Sequence, residues 1–137
     1  MMKHPVHILL VDDDSYIRTM YADYLGKHGF DVTTEGSATS ALGHLLNGEK
    51  FDLVITDIMM AKMDGWEFLK TIRKGLRLDD ATLPVIVISA FESDTLEAKA
   101  LGEGANGSFI KGGSPLEDLL RQVRIQTGQE RCGYSDV

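Results

Sequence analysis

The chain has 137 residues, enough for one domain with a sizeable core, and its hydrophobic (43%) and charged (26%) fractions are ordinary for a globular protein. Its 21 acidic residues outnumber the 14 basic ones, and the net charge of −7 argues against nonspecific nucleic-acid binding. A single cysteine excludes an intrachain disulfide, and neither a signal-peptide pattern nor an apolar stretch of roughly 18 to 20 residues is present, so we expect a soluble, cytoplasmic setting.

In chain order, short apolar runs alternate with longer segments of helical period. Three of the runs are too continuously apolar for a half-exposed strand, which is typical of parallel strands buried on both faces. The run after the first helix is weaker and completes a set of five. The predicted strands are His7–Val11, Asp31–Glu35, Leu53–Thr56, Pro84–Ser89 and Gly107–Lys111.

The segments between the strands carry apolar residues at helical spacing and are bounded by residues that start or stop helices. Proline suits the first helical position because its missing N–H would be unpaired there anyway. We expect five helices. The first is opened by Asp14 or Ser15 and closed by Gly29, and the second begins near Ser37 and ends at Asn47-Gly48. The third lies around Phe68–Ile72, the fourth is capped by Ser93 or Asp94, and the fifth begins at Ser114-Pro115.

Five alternations of strand and helix predict a parallel sheet with helices on both faces. Such sheets bind ligands beyond the carboxyl ends of their strands. Polar side chains occur at these ends: Asp12 and Asp13 follow the first strand, Asp57 ends the third, Ser89 the fourth and Lys111 the fifth. The sequence therefore predicts one site at that edge of the sheet.

The residue types at this edge are those needed for phosphoryl transfer. Three neighbouring carboxylates repel one another unless a cation such as Mg²⁺ compensates them. A carboxylate such as Asp57 can also act as a nucleophile and form an aspartyl phosphate. Lys111 is a candidate for stabilising the developing charge, and the Ser89 hydroxyl can bond a phosphoryl oxygen.

Taken singly, each of these residues has an ordinary structural interpretation. Asp14 suits helix capping better than metal binding, and an aspartate such as Asp57 after an apolar run is common in turns. A lone serine carries little information, and a lone lysine is commonly a solvated surface charge. The functional interpretation depends on their joint arrangement at one edge.

The chain resembles the CheY-like receiver domain of two-component response regulators over about Val6 to Gln126. The resemblance implies a (βα)5 doubly wound, flavodoxin-like α/β fold with strand order 2-1-3-4-5, a receiver domain over residues 1–126 and a tail over 127–137 with no output domain. The matching segments are ILLVDDD (Ile8–Asp14), DLVITDIMMAKMDG (Asp52–Gly65), VIVISA (Val85–Ala90) and GANGSFIK (Gly104–Lys111).

The resemblance also implies roles for individual residues. Asp57 would be the phosphoacceptor, with Ser89 as the switch hydroxyl and Lys111 as the phosphate-binding lysine. The cofactor would be Mg²⁺ or Mn²⁺. Its protein ligands would be Asp13, Asp57, the backbone carbonyl of Met59 and, through water, Asp12.

In such domains the phosphoryl group comes from a histidine kinase or histidine phosphotransferase, and catalysis is confined to the domain's own phosphorylation and dephosphorylation. We expect a downstream protein partner on the face formed by about residues 95–126, no direct nucleic-acid or membrane contact, and a monomer or weak phosphorylation-dependent dimer. A stand-alone regulator fits best, and a receiver excised from a hybrid kinase remains an alternative.

Two departures from the family pattern affect the site. Lys111 is followed by Gly112-Gly113 instead of proline, and since a cis non-proline bond costs roughly 2.5 to 4 kcal/mol, we expect a trans or mobile Lys111–Gly112 bond. Ser108 falls where the family often has a switching aromatic residue. Phe109 should point to the opposite face and lie in the core, because strand side chains alternate.

Two other functions stay open from the sequence. A degenerate receiver would keep the fold without being phosphorylated, and the glycines after Lys111 keep that alternative alive. An aspartate-nucleophile phosphatase would use Asp12 and Asp14, although it has no need for an acid at Asp57 and the chain has little room for a substrate-selecting cap.

Overall fold

The computed structural model of the chain describes residues 5–91 and 93–129. The single cysteine, Cys132, and most of the predicted tail lie outside these residues. The elements in chain order are β1 (His7–Val11), α1 (Ser15–Lys27), β2 (Asp31–Glu35), α2 (Ala38–Leu46), β3 (Leu53–Asp57), α3 (Gly65–Lys70) with a π-helical turn (Thr71–Gly75), β4 (Val85–Ser89), α4 (Leu96–Gly102), β5 (Gly107–Ile110) and α5 (Leu116–Gln126).

The five strands form one parallel sheet in the order β2-β1-β3-β4-β5, which confirms the predicted fold and topology. β1 and β3 are neighbours, and Val11 pairs with Thr56 in their register. The residues that follow this pair, Asp12 and Asp57, therefore leave the sheet side by side. This register is what allows acids far apart in sequence to share one site.

Side chains of the sheet alternate between two apolar layers, one on each face. Val54 and Val87 point into the layer that contains Phe68 of α3. Ile55 and Ile86 point into the other layer, which contains residues of α1 and α5. Phe109 is 4% exposed within this second layer, which confirms its predicted place in the core.

The helix starts match the prediction in two places and correct it in two. Asp14 caps α1 by accepting hydrogen bonds from two backbone N–H groups of the first turn, and Ser37 caps α2. The expectation that Ser93 or Asp94 caps α4 is wrong, because Thr95 occupies the N-cap and makes no side-chain capping bond. Pro115 is the N-cap of α5, one position before the first helical residue.

Arg73, in the π-helical turn, bonds to the segments that precede β4 and β5, at the amino ends of these strands. Its guanidinium donates hydrogen bonds to the backbone carbonyls of Gly104 and Leu83, at 2.8 Å each, and to the side-chain carbonyl oxygen of Asn106 at 3.1 Å. Two more bonds reach the carbonyls of residues 78 and 79. Arg73 therefore holds the loop before β4 against the turn before β5.

The helices α3 and α4 meet through a cation–π contact. The Lys99 ammonium lies 4.9 Å from the centroid of the Trp66 ring.

Within residues 5–91 and 93–129, no helix is long and apolar enough to cross a membrane.

Candidate functional site

Three carboxylates meet at the carboxyl edge of the sheet. Ligand atoms of Asp12, Asp13 and Asp57 all lie within 4.8 Å of one another. Asp12 is fully buried and Asp57 is 3% exposed, whereas Asp13 faces solvent. This spacing allows one cation to contact all three carboxylates from the open side.

Lys111 contacts both buried acids of this cluster. Its Nζ atom lies 3.0 Å from Asp12 Oδ2 and 3.3 Å from Asp57 Oδ1. Burial lowers the pKa of Lys111, but the hydrogen bond to Asp12 and the charges of both acids outweigh that effect, so its pKa is raised and the ammonium stays charged. β5 ends one residue earlier than expected, at Ile110, and Lys111 begins the following turn.

The turn after Lys111 reaches the site without the proline that the family usually has there. The described residues contain no cis peptide bond, so Lys111–Gly112 is trans, in agreement with the prediction of a trans or mobile bond. Gly112 has φ +74, a conformation that costs glycine little. The Lys111 N–H donates to the Ser89 carbonyl at 2.7 Å, which ties the base of this turn to β4.

The field of the cluster is dominated by negative charge. Burial, and then the neighbouring Asp12, raises the pKa of Asp57 from 3.8 to about 6 despite the opposing effect of Lys111. Burial and the same two aspartates raise the pKa of Tyr21, on α1, to about 12. One lysine does not neutralise three acids, and an oxygen-preferring dication fits the donor set that remains.

The backbone N–H, the backbone carbonyl and the carboxylate of Asp12 all make hydrogen bonds. Its N–H donates to the Glu35 carbonyl at 3.1 Å, and its carbonyl accepts from Arg18 Nη1 at 2.6 Å. Its Oδ1 atom accepts the Asp14 N–H at 2.9 Å. The sequence interpretation did not single out Arg18, although a cation in the second turn of a helix that follows three acids was an available signal.

Ser89 and Met59 lie on the loops that surround the cluster. Ser89 is 6% exposed, and its hydroxyl donates to the Phe91 carbonyl at 3.0 Å and accepts the Phe91 N–H at 3.1 Å. Its hydrogen bonds thus go to its own loop. Met59 and Phe91 are 62% and 68% exposed, so each of these loops presents one large apolar residue to solvent.

The start of α3 approaches the main chain at Asp57 very closely. The Gly65 N–H donates to the Ile58 carbonyl at 2.8 Å. A Cβ atom at Gly65 would lie 2.2 Å from the Asp57 carbonyl oxygen, well inside contact distance. Only glycine fits here with the present backbone.

His44 lies outside the acid cluster, on α2, between two glutamates. Its Nε2 atom is 2.6 Å from Glu35 Oε2, and its Nδ1 atom is 2.7 Å from Glu49 Oε2. The hydrogen bond to Glu35, and then that to Glu49, raises the pKa of His44. Both contacts are hydrogen bonds together only when both ring nitrogens carry protons.

The model of the response regulator receiver domain family matches residues 8–124 of the chain. The chain belongs to this family. Members of this family act in two-component systems, and phosphorylation-dependent signalling is their general function. This receiver is therefore a member of a phosphoacceptor signalling family rather than a classical enzyme family.

Relatives of this receiver include proteins of similar and of greater length. The two-component response regulator ORR5 of Oryza sativa subsp. japonica is 33% identical over 111 residues, which cover 81% of each chain. The uncharacterized transcriptional regulatory protein YcbL of Bacillus subtilis is 36% identical over 113 residues, 82% of this chain and 47% of the relative. The receiver thus spans about half the length of some curated relatives that it matches.

Solved receiver structures superpose closely on the fold. The Francisella response regulator 1452 receiver domain has a TM-score of 0.80 at 29% identity, covering 92% of this chain and 98% of that one. The Thermotoga maritima response regulator TrrA, solved in complex with Mg²⁺ and BeF, has a TM-score of 0.75 at 26% identity, with coverages of 88% and 98%.

Proposed function

We propose that Asp57 of this receiver accepts a phosphoryl group from the phosphohistidine of a histidine kinase or histidine phosphotransferase, with Mg²⁺ or Mn²⁺ as cofactor. The observation that carries the proposal is the meeting of Asp12, Asp13 and Asp57 within 4.8 Å, with the Lys111 ammonium against two of them. Four charged groups from three different strand ends have no evident structural need for one another.

In the proposed reaction, a carboxylate oxygen of Asp57 attacks the phosphorus atom. The O–P bond forms as the P–N bond to the donor histidine breaks, and the electron pair of that bond returns to the imidazole nitrogen. Lys111 stabilises negative charge on the transferred group. Ionised Asp57 is required for this attack, and Lys111 favours that form by lowering the pKa of Asp57.

The cation would be held by Asp13, Asp57 and the backbone carbonyl of Met59, with Asp12 contributing through water. When bound, it supplies positive charge that neutralises the carboxylates and the phosphoryl oxygens. The excess of acids over lysine in the cluster supports this assignment. The Mg²⁺ and BeF complex of the Thermotoga relative adds to that support.

Signal output in this proposal begins with Ser89. Its hydroxyl would exchange the backbone of Phe91 for a phosphoryl oxygen, which releases the loop between β4 and α4. Because α4 has no side-chain cap, a change in this loop meets little resistance at the helix start. With Ser108 at the usual aromatic position, the Ser89 loop and α4 carry the change to a protein partner on residues 95–126.

Further parts of the proposal concern the setting of the receiver. We infer a cytoplasmic protein that binds neither nucleic acid nor membrane directly and is a monomer or a weak phosphorylation-dependent dimer. The predicted domain boundary at residue 126 belongs to the same proposal. The length of some relatives leaves a place within a larger protein as an alternative.

Intact mass measurement after incubation with acetyl phosphate and Mg²⁺ tests the acceptor. The wild-type chain should gain one phosphoryl group, and Asp57→Asn should gain none. Asp31→Asn, which changes an exposed aspartate on β2, is the matched control and should be labelled like the wild type. An unlabelled wild type, or a label that persists in Asp57→Asn, would overturn the proposal.

Beryllofluoride separates a working receiver from a degenerate one. With Mg²⁺ it should raise the melting temperature of the wild type and leave that of Asp57→Asn unchanged, because the mimic needs the acceptor oxygen. The phosphatase alternative predicts turnover of an aryl phosphate that is lost in Asp12→Asn but not in Asp57→Asn. Against it, the Asp14 carboxylate is occupied by capping bonds to α1.

A further inference from the structure

Arg18 of α1 reaches back to the loop that carries the proposed metal ligands. Its Nη1 atom donates to the Asp12 carbonyl oxygen at 2.6 Å, a short charge-assisted hydrogen bond. We propose that Arg18 is a positioning residue for cation binding, acting through the peptide that joins Asp12 to Asp13. This inference rests on the proposed function of the acid cluster.

The two acids of this peptide are held very differently. The Asp12 carboxylate accepts from Lys111 Nζ and from the Asp14 N–H, so its orientation is fixed by its own contacts. For the exposed Asp13 carboxylate, the described residues provide no hydrogen-bond donor. Its position relative to Asp57 therefore depends on the backbone that carries it, because no contact of its own within the described residues holds it in place.

The Asp12 carbonyl belongs to the same planar peptide as the Asp13 nitrogen. Rotation of this peptide would swing the Asp13 side chain relative to Asp57. On the N-terminal side, the Asp12 N–H is anchored to Glu35. Arg18 supplies the side-chain anchor on the C-terminal side, so it fixes the peptide plane from which Asp13 projects.

The Arg18 guanidinium packs against Gly36, where the absence of a side chain leaves room for it. A Cβ atom at Gly36 would lie 3.2 Å from Arg18 Nη1 and 3.6 Å from Cζ. An alanine there would require the same atom that donates to Asp12 to shift by a few tenths of an ångström. Gly36→Ala thus disturbs the contact without changing any charge.

The test compares Mg²⁺ affinity with fold stability. Calorimetric titration of the metal-free protein gives the Kd for Mg²⁺, and urea unfolding in a chelator gives the stability of the same variant. Partners that orient metal ligands typically contribute 10- to 100-fold in affinity, so Arg18→Met should raise the Kd by roughly 10-fold. Arg18→Lys should lie between wild type and Arg18→Met.

Lys27→Met is the matched control, because it removes one positive charge from the exposed far end of the same helix. It should leave the Kd unchanged. If Arg18→Met is folded and binds Mg²⁺ with wild-type affinity, the inference is overturned, and a loss of stability alone would then mark a structural role. If the wild type itself fails to bind Mg²⁺, the proposed function fails instead.

A double-mutant cycle tests the route through Gly36. Gly36→Ala should weaken Mg²⁺ binding in the wild-type background and have no further effect in Arg18→Met, where the guanidinium is already absent. Equal effects in both backgrounds would overturn the assignment of this contact. The single Gly36→Ala variant also keeps the inference testable if Arg18→Met does not fold.

Discussion

Asp57→Asn should stabilise the metal-free protein at neutral pH. Burial and the charge of Asp12 raise the pKa of Asp57 from 3.8 to about 6, so the folded state disfavours the ionised carboxylate. The difference between 3.8 and about 6 corresponds to about 3 kcal/mol of unfolding free energy above pH 6. Since asparagine loses part of the attraction to Lys111, we expect a gain of about 1 to 3 kcal/mol.

The sign of this effect depends on pH. Because the pKa of the folded state is the higher one, the stability that protonated Asp57 contributes is present below pH 3.8 and is lost as the pH rises through about 6. Asparagine does not ionise and keeps that stability. The advantage of Asp57→Asn should therefore be absent near pH 3.8 and reach its full size above pH 6.

Urea unfolding in a chelator at a series of pH values measures this difference. Asp31→Asn, on the exposed side of β2, controls for the loss of a negative charge and should lie within about 0.5 kcal/mol of wild type. Adding Mg²⁺ should stabilise the wild type and not Asp57→Asn. A variant no more stable than wild type at pH 7.5, or a gain independent of pH, would refute the reasoning.

Three further predictions concern other parts of the molecule. The two glutamates beside His44 raise its pKa in the folded protein. The stabilisation from protonated His44 is therefore complete below pH 6.5 and is lost as the pH rises through the higher pKa of the folded state. The difference in unfolding free energy between wild type and His44→Gln, measured by urea unfolding, should shrink over that pH range. Met59→Asn and Phe91→Glu should shorten the half-life of the phosphorylated protein several-fold, since neither wild-type side chain can orient an attacking water. Equal half-lives of the variants and the wild type, followed by intact mass, would contradict this prediction. Arg73→Met should cost about 3 kcal/mol in urea unfolding because several partly buried carbonyls lose their donor, whereas Lys74→Met should cost little.

The fold and the meeting of the acids were predictable from the sequence for definite reasons. Continuous apolar runs identify buried parallel strands, and parallel strands end at one edge. Asp12 and Asp57 directly follow such runs, so strand placement alone brought them together. Lys111 followed the same rule even though its proline is missing.

The remaining contacts depend on three-dimensional detail that a linear pattern does not encode. Arg18 reaches Asp12 because the loop after β1 turns its carbonyl toward α1, and no spacing rule specifies that turn. The N-cap of α4 at Thr95 is not evident from the sequence, because Ser93 is also a residue type that commonly caps helices. Its hydroxyl instead accepts the Thr95 N–H within the preceding turn.

The close approach of Gly65 to Asp57 has a mechanical consequence. Since no spare volume separates the first residue of α3 from the main chain of Asp57, a displacement of that main chain has to move the helix. Trp66 is the next residue, and its ring lies against Lys99 of α4. The only tryptophan of the chain thus lies between Asp57, the proposed acceptor, and α4, so its fluorescence emission can report how far these two parts move together.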